Sequence, residues 1–297
     1  MFSNLIIDSE KPVLIAGPTA SGKSALAAWL AERHDGVIIN ADALQVYACW
    51  RVLTARPDAA EETRLPHRLY GHVACDHIYS VGQWLAEVKP LLTGADGRLP
   101  IIVGGTGLYF TALTEGLAEI PPVSPGWRKQ SQAFLADRGV AALFDDLAAA
   151  DAASAARIDR HNPKRVQRAW EVLKSTGRGI AAWQAETPPP LLPLTHSNAL
   201  VLNAPPEWLS PRIERRFQAM LKDGALDECR ANRKDWNPDS PAAQAIGARA
   251  LIAYLDGKTD LATASAEACT QTRQYAKRQR SWFRARMSGW HRLDPSG

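Results

Sequence analysis

The sequence predicts an α/β fold, a P-loop NTPase-like parallel sheet core with a mainly helical insertion and a helical C-terminal part. Three observations carry that expectation. GPTASGKS (Gly17–Ser24) follows a short apolar run and opens a helical pattern. Two further apolar runs, GVIINAD and RLPIIVGG, end in turn residues. After Pro121-Pro122 the composition becomes Ala-rich, with no strand signal until NALVLNAP. Strands followed by phosphate-binding turns and helices place ligands at the C-terminal edge of a doubly wound sheet. The core is expected over 1–122 and 191–297, with the insertion over 123–190.

Taken in order, KPVLIAG reads as a buried strand and SGKSALAAWLAERHD as the helix after it. GVIINAD is a second strand, RLPIIVGG a third, and TGLYFTALTEGL a helix. Continuous apolar runs bounded by turn residues suit strands covered on both faces. AFLADRGVAALFDDLAAADAASAARI favours helix because Ala has the highest helix propensity. TPPPLLP (Thr187–Pro193) is a stiff connector, and NALVLNAP returns as a strand to the core. PRIERRFQAMLKDG is helical with Gly224 as a C-terminal cap, and a long helix runs through the last basic stretch. No repeat of fixed period is present.

Hydrophobic content of 46% and charged content of 22% describe an ordinary globular chain. No apolar run reaches the roughly 18 residues that a membrane span needs. The start, MFSNLIIDSEKPVLIAGP, has no basic region before a long apolar one, so no secretory leader and no membrane partner are expected. Cys49, Cys75, Cys229 and Cys269 fall into no pairing motif, and reduced thiols in a cytoplasmic enzyme are expected. Net charge is only +4, yet Thr272–Arg292 holds seven Arg or Lys and no acid, leaving 28 basic against 31 acidic residues elsewhere. One concentrated basic segment on a nearly neutral body points to a local anionic partner, although a solvated face has the same composition.

Gly17, Pro18, Thr19, Ala20, Ser21, Gly22, Lys23 and Ser24 form GxxxxGK[ST] between a strand and a helix, the context this motif requires. Loop amides and the helix N-terminus surround phosphate oxygens, Lys23 balances their charge, and Ser24 is the expected ligand of Mg²⁺. Asp42 follows a buried strand at the same sheet edge, where a carboxylate serves as general base or as a helix N-cap. In VGGTGLYF, Gly104 and Gly105 admit a ligand close to the backbone, and Thr106 offers a hydroxyl. A GTPase is disfavoured because Asn232-Arg233-Lys234-Asp235 has its Lys one position late and no strand before it. A small-molecule kinase and a non-catalytic P-loop RNA-binding protein both remain compatible with the loop alone.

GPTASGKS, ADALQVY, TARP, GGTGLY, RIERRFQAML, QAIGAR and TRQYAKRQRSWFR together resemble the motifs of the tRNA dimethylallyltransferases, in that family's order and over about residues 11 to 294. The resemblance implies transfer of a dimethylallyl group from dimethylallyl diphosphate to N6 of the adenosine beside the tRNA anticodon, at position 37, with Mg²⁺. It assigns Asp42 as general base and Thr106 as a phosphate-contacting catalytic group. Arg212 and Arg216 both match its arginine positions, with Arg216 favoured for catalysis. A monomer acting on one tRNA is the expected state. Departures stand at Ala43-Leu44, where the family has Ser-Met, and at Cys49-Trp50-Arg51-Val52-Leu53-Thr54, where it has Gly-Met-Asp-Ile-Gly-Thr.

The same resemblance implies tRNA contacts at the base turn, Asp42, Ala43, Leu44 and Gln45, and at Thr106 and Arg128. Lys164, Arg165, Val166, Gln167 and Arg168 match a contact segment in the insertion. Gln244, Ala245, Ile246, Gly247, Ala248 and Arg249 match another. Lys277, Arg278, Gln279, Arg280, Ser281, Trp282, Phe283 and Arg284 match a third. At about 100° per residue, Arg273, Lys277, Arg280 and Arg284 fall on one helical stripe, with Tyr275 and Trp282 on the packing side. His67, His72, Cys75 and His77 sit close in sequence, but their spacing fits no common zinc motif, so no metal site is expected there.

Overall fold

Val13, Leu14, Ile15 and Ala16 are wholly buried, which a strand achieves only when both faces of its sheet are covered. Leu14 and Ala16 face one layer with Ile39 and Ile102. Val13 and Ile15 face the other with Ile38 and Ile101. The protein's structure, a computed structural model, describes residues 5–93 and 97–295. It divides into two compact units, Met1–Thr114 with Leu191–Gly297, and Glu115–Pro190.

In the first unit β1 (Val13–Ala16) leads to α1 (Lys23–Arg33), then β2 (Gly36–Asn40), α2 (Ala59–Arg64), β3 (His67–Arg68), α3 (Val81–Val88), β4 (Leu99–Gly104) and α4 (Gly107–Glu115). The second unit holds α5 (Pro125–Ala150), α6 (Ala152–Ala155), α7 (Pro163–Thr176) and α8 (Ile180–Ala185). The first unit resumes with β5 (Asn198–Leu202), α9 (Pro206–Lys222), α10 (Ala225–Asn232), α11 (Ala248–Leu255), α12 (Leu261–Arg286) and β6 (His291–Leu293). The sheet order is β3-β2-β4-β1-β5-β6, every neighbouring pair being parallel. This is the P-loop NTPase-like core that the sequence predicts. β3 and β6 went unread, because two- and three-residue strands carry no legible alternation.

Register positions the site. Ala16 lies level with Gly104, and Asn40 with Val103. The turns after β1, β2 and β4 therefore open side by side at one edge. Helices α9 to α12 share a small-residue core with the segment after β2, including Val46, Tyr47, Trp50 and Leu53.

In the second unit α5 breaks at Gly139, whose φ of 77° is left-handed. Its core is Leu143, Leu147, Val166, Ala169 and Trp170. Asn162 caps α7 by accepting from the Arg165 amide.

The expectation of four reduced thiols is corrected at one pair. Cys49 and Cys75 form a disulfide with a Cα separation of 6.0 Å, while Cys229 and Cys269 are free and buried. The parallel bridge between Tyr47 and Val73 brings the two chain segments together, which a spacing of 26 residues could not reveal. His72 binds Glu87, His77 binds Gln83, and His67 approaches the Leu65 carbonyl. Among the described residues no group of three or more potential metal ligands gathers.

Candidate functional site

The loop between β1 and α1 turns because Ala20 and Gly22 adopt left-handed backbone, with φ of 63° and 88°. Ser21 donates its amide to the Pro18 carbonyl. Lys23 Nζ reaches the same carbonyl at 3.3 Å. Burial pulls the Lys23 ammonium down to about 8, against the opposing pull of Asp42, with the Arg216 charge adding to the depression. Lys23, Ser24, Arg212, Arg215 and Arg216 line one cavity with this loop. Arg212 donates from Nε to the Ala20 carbonyl and stacks on Trp208 at 4.1 Å. Arg212 thus contacts the loop, and Arg216 lines the same cavity. Arg215 joins them, a position that sequence reasoning missed and that lies one residue from Arg216.

The turn after β2 is held from several sides. Asn40 accepts from the Asp42 amide at 2.9 Å and donates to the carbonyls of Asp42 and Leu69. Trp84 donates to the Asn40 carbonyl at 2.7 Å. Asp42 accepts from the Leu44 amide through Oδ1, which fixes the carboxylate and assigns one oxygen to the local turn. Oδ2 faces Gly105, lying 3.1 Å from where a Cβ would stand. At Gly104 a Cβ would meet the Ala41 carbonyl at 2.0 Å, so only glycine lets the two turns approach. Thr106 Oγ1 accepts from the Ala43 amide at 2.9 Å, coupling the third turn to the second.

A single side chain of α12 joins the first turn to the third. Gln279 accepts from the Thr19 amide at 2.8 Å and donates to the Gly105 carbonyl at 2.9 Å. It is 5% exposed. The tRNA contact that the resemblance implies at Gln279 thus falls on a side chain whose amide is engaged at both ends inside the protein.

Lys23, Asp42 and Arg216 also line a second cavity, together with the apolar side chains of Leu53, Ile213, Phe217, Met220 and Ile246. Thr272 and Tyr275 of α12 also line it. Tyr275, on the packing side of α12, faces this cavity, where burial and the Asp42 charge raise its phenol well above the ordinary tyrosine value. Helical periodicity marks a packing face but not what lies within it.

The remaining candidates separate by exposure. Lys277, Arg278, Ser281 and Arg284 are exposed and Arg280 is half-buried, whereas Phe283 is core. Trp282 abuts Gly107 at the start of α4. Arg273, expected on the phosphate-tracking stripe, pairs with Glu214 at 3.0 Å. Gln244 and Arg249 are exposed, while Ala245, Gly247 and Ala248 are buried and Ile246 turns into the cavity. In the second unit Arg128, Lys164, Arg165 and Arg168 are exposed, and Val166 is core. Gln167 donates to Ser131 and Glu171, so its amide serves the unit's interior.

Ser24 is the one hydroxyl of the motif placed for a cation at the phosphate cavity, and no acidic side chain lines that cavity. A magnesium ion held by a hydroxyl and substrate phosphates, with water completing its shell, fits such a donor set.

Comparison with known proteins agrees with this geometry. A family model described as IPP transferase matches residues 45–286. A tRNA dimethylallyltransferase of Cereibacter sphaeroides is 60% identical over 287 residues, covering 97% of this chain and 90% of the relative. One from Dinoroseobacter shibae is 58% identical, covering 97% and 96%. A crystal structure of the full-length tRNA isopentenylpyrophosphate transferase of Bacillus halodurans superposes with a TM-score of 0.67 at 34% identity, over 96% of this chain and 90% of that one. A eukaryotic dimethylallyltransferase acting on tRNA gives 0.80 at 26% identity, over 96% and 74%.

Proposed function

Because this chain belongs to the IPP transferase family, we propose that the two cavities, which share Ala20, Lys23 and Arg216 in their linings, are its prenyl-transfer site and that the residues around them divide the work as follows. The reaction is transfer of a dimethylallyl group from dimethylallyl diphosphate to N6 of adenosine 37 of tRNA, giving diphosphate and the N6-isopentenyl base. One observation carries the assignment of the site. Asp42, Lys23 and Arg216 share a cavity with an apolar wall, so an anion cradle, a carboxylate and a hydrophobic recess meet in one place.

An allylic diphosphate departs through a carbocation-like transition state, so stabilising the leaving charge is the principal task. Lys23, the loop amides, Arg212 and Arg216 serve that charge. Thr106 accepts from Ala43, which leaves its hydroxyl proton free for a diphosphate oxygen. Mg²⁺, when bound, would be held by Ser24 and would supply further charge compensation to the diphosphate. The C1–O bond breaks as the bond from N6 to C1 forms. The N6 proton passes to Asp42, whose Oδ2 is not used by the local turn. The adenine must leave its stack to reach this carboxylate. tRNA is the macromolecular substrate, and the exposed basic residues of α12 and of the second unit are its proposed contacts. On this reading the protein acts as a monomer in the cytoplasm, where its tRNA substrate resides.

The test is incubation with labelled dimethylallyl diphosphate, Mg²⁺ and an unmodified anticodon stem-loop, following prenyl incorporation. Incorporation at A37 is expected. Consumption of ATP with a small acceptor and no labelled tRNA would overturn the reading in favour of a small-molecule kinase.

A further inference from the structure

The segment after the base turn has no regular secondary structure, yet it lines the second cavity through Leu53 and Thr54. What holds it is a carboxylate from a different part of the chain. Glu228, on α10, accepts from three successive backbone amides: Arg51 and Val52 through Oε1, and Leu53 through Oε2. The latter two distances are both 2.9 Å. Successive amides pointing to one centre make a concavity that favours an anion, and here the anion is the protein's own. Asn232, one turn along α10, donates to the Cys49 carbonyl at 3.0 Å. From the fixed segment the coupling continues. The carbonyls of Thr54 and Ala55 both accept from the Gln45 side chain at 2.9 Å, and Gln45 is the last residue of the Asp42 turn.

We propose that Glu228 is a positioning residue for prenyl recognition. By pinning the amides of 51–53 it sets where Leu53 stands, and so fixes the depth of the apolar recess. This rests on the prenyl-transfer reading above. Glu228 does not line the cavity itself and touches no reacting atom. Leu53 is 6% exposed and reaches toward Gly247, where its Cδ2 lies 3.5 Å from the position of a Cβ. Beside it stands Phe217, 3.1 Å from the same position. Ile213, Phe217 and Met220 stand on α9, but the part of the wall that Leu53 supplies stands on an irregular loop and holds its place only if the loop does. The consequence is selectivity for a five-carbon tail. With the loop released, Leu53 retreats and a longer allylic chain is admitted.

Glu228→Gln tests this with little change of shape, because its amide must turn an N–H toward backbone N–H donors. The expected result is a rise of roughly tenfold in KM for dimethylallyl diphosphate, with kcat within about twofold, KM for tRNA unchanged, and relative turnover of geranyl diphosphate raised several-fold. Partial unfolding has a different signature: apparent kcat falls with the active fraction, while KM and chain-length preference stay fixed. That outcome would overturn the proposal. If Glu228→Gln does not fold, Leu53→Ala removes the loop's share of the wall while leaving the clamped amides in place, and is expected to give the same rise in geranyl transfer; an unchanged chain-length ratio there also overturns it. Calorimetry separates the inference from the reading beneath it. Wild-type protein should bind a non-hydrolysable dimethylallyl thiolodiphosphate more tightly than inorganic diphosphate, and Glu228→Gln should lose that difference while retaining the diphosphate affinity. A wild type with no preference for the prenylated ligand overturns the functional reading. A wild type with the preference, and a variant that keeps it, overturns the role of Glu228.

Discussion

Asp42 and Lys23 set opposite requirements within one cavity, and each can be tested separately. Asp42→Asn keeps the turn's shape and removes the proposed proton acceptor. A loss of roughly 10²- to 10⁴-fold in kcat is expected, with diphosphate and tRNA binding retained in equilibrium assays. Unchanged turnover would remove Asp42 from the base role. Lys23 is depressed to about 8 in the free protein by burial, and a diphosphate needs it charged. Below that value the ammonium is already present and binding takes up no proton at this group. Above it, binding must recharge the lysine, so affinity is expected to fall by up to about tenfold per pH unit. Titration calorimetry between pH 7 and 9.5 measures this, with Lys23→Met as the reference that removes the lysine's share and leaves the ligand's own ionisation. Sequence alone supplies both residues through their motifs. It does not supply Arg215, Tyr275 or Glu228, because each acts from a helix whose side-chain pattern reads as ordinary surface or core.

Among the elements, α12 has the least expected role. Its basic composition suggests a nucleic-acid surface, yet Gln279 on the same helix joins the phosphate loop to the Gly105 turn. Gln279→Leu leaves the Thr19 amide and the Gly105 carbonyl without that partner, at about 1–3 kcal/mol for each group left buried and unpaired. A lowered urea midpoint with an unchanged m-value is the expected result, accompanied by weaker diphosphate binding. Stability lost without any change in diphosphate affinity would show that the bridge supports the fold and not the cradle. The rest of the helix divides by the same logic. Arg273 is paired with Glu214, so the exposed basic surface of the helix rests on Lys277, Arg278, Arg284 and Arg286, with Arg280 half-buried.

At the scale of the whole molecule two features have measurable consequences. Replacing Lys277, Arg278 and Arg284 by Glu is expected to weaken tRNA binding and to flatten its salt dependence, by roughly 0.7–0.9 in log–log slope for each phosphate no longer neutralised. Diphosphate affinity should not move; a parallel fall there would mean that the helix itself is disturbed. The Cys49–Cys75 disulfide closes the segment that runs from the base turn to the loop before α3. Reduction, or Cys49→Ser, is expected to lower the unfolding free energy by about 2–4 kcal/mol in urea titrations with and without reductant. Identical curves would mean that the bridge adds nothing to stability.

By itself the sequence determined the class of fold, the phosphate cradle, the candidate base and the family, because each of these depends on short-range order. GPTASGKS needs only a strand before it and a helix after it. The strands β1, β2 and β4 are apolar runs long enough to read, and their turns carry their own chemistry. Tertiary structure decided which side chains meet. Gln279 and Thr19 are 260 residues apart, and Glu228 and Leu53 are 175 apart; no local pattern encodes such pairings. The short edge strands, the disulfide and the apolar recess belong to the same group. They arise from parallel register and from helices packing over one sheet edge, and an approach of two distant segments leaves no periodic trace in either of them.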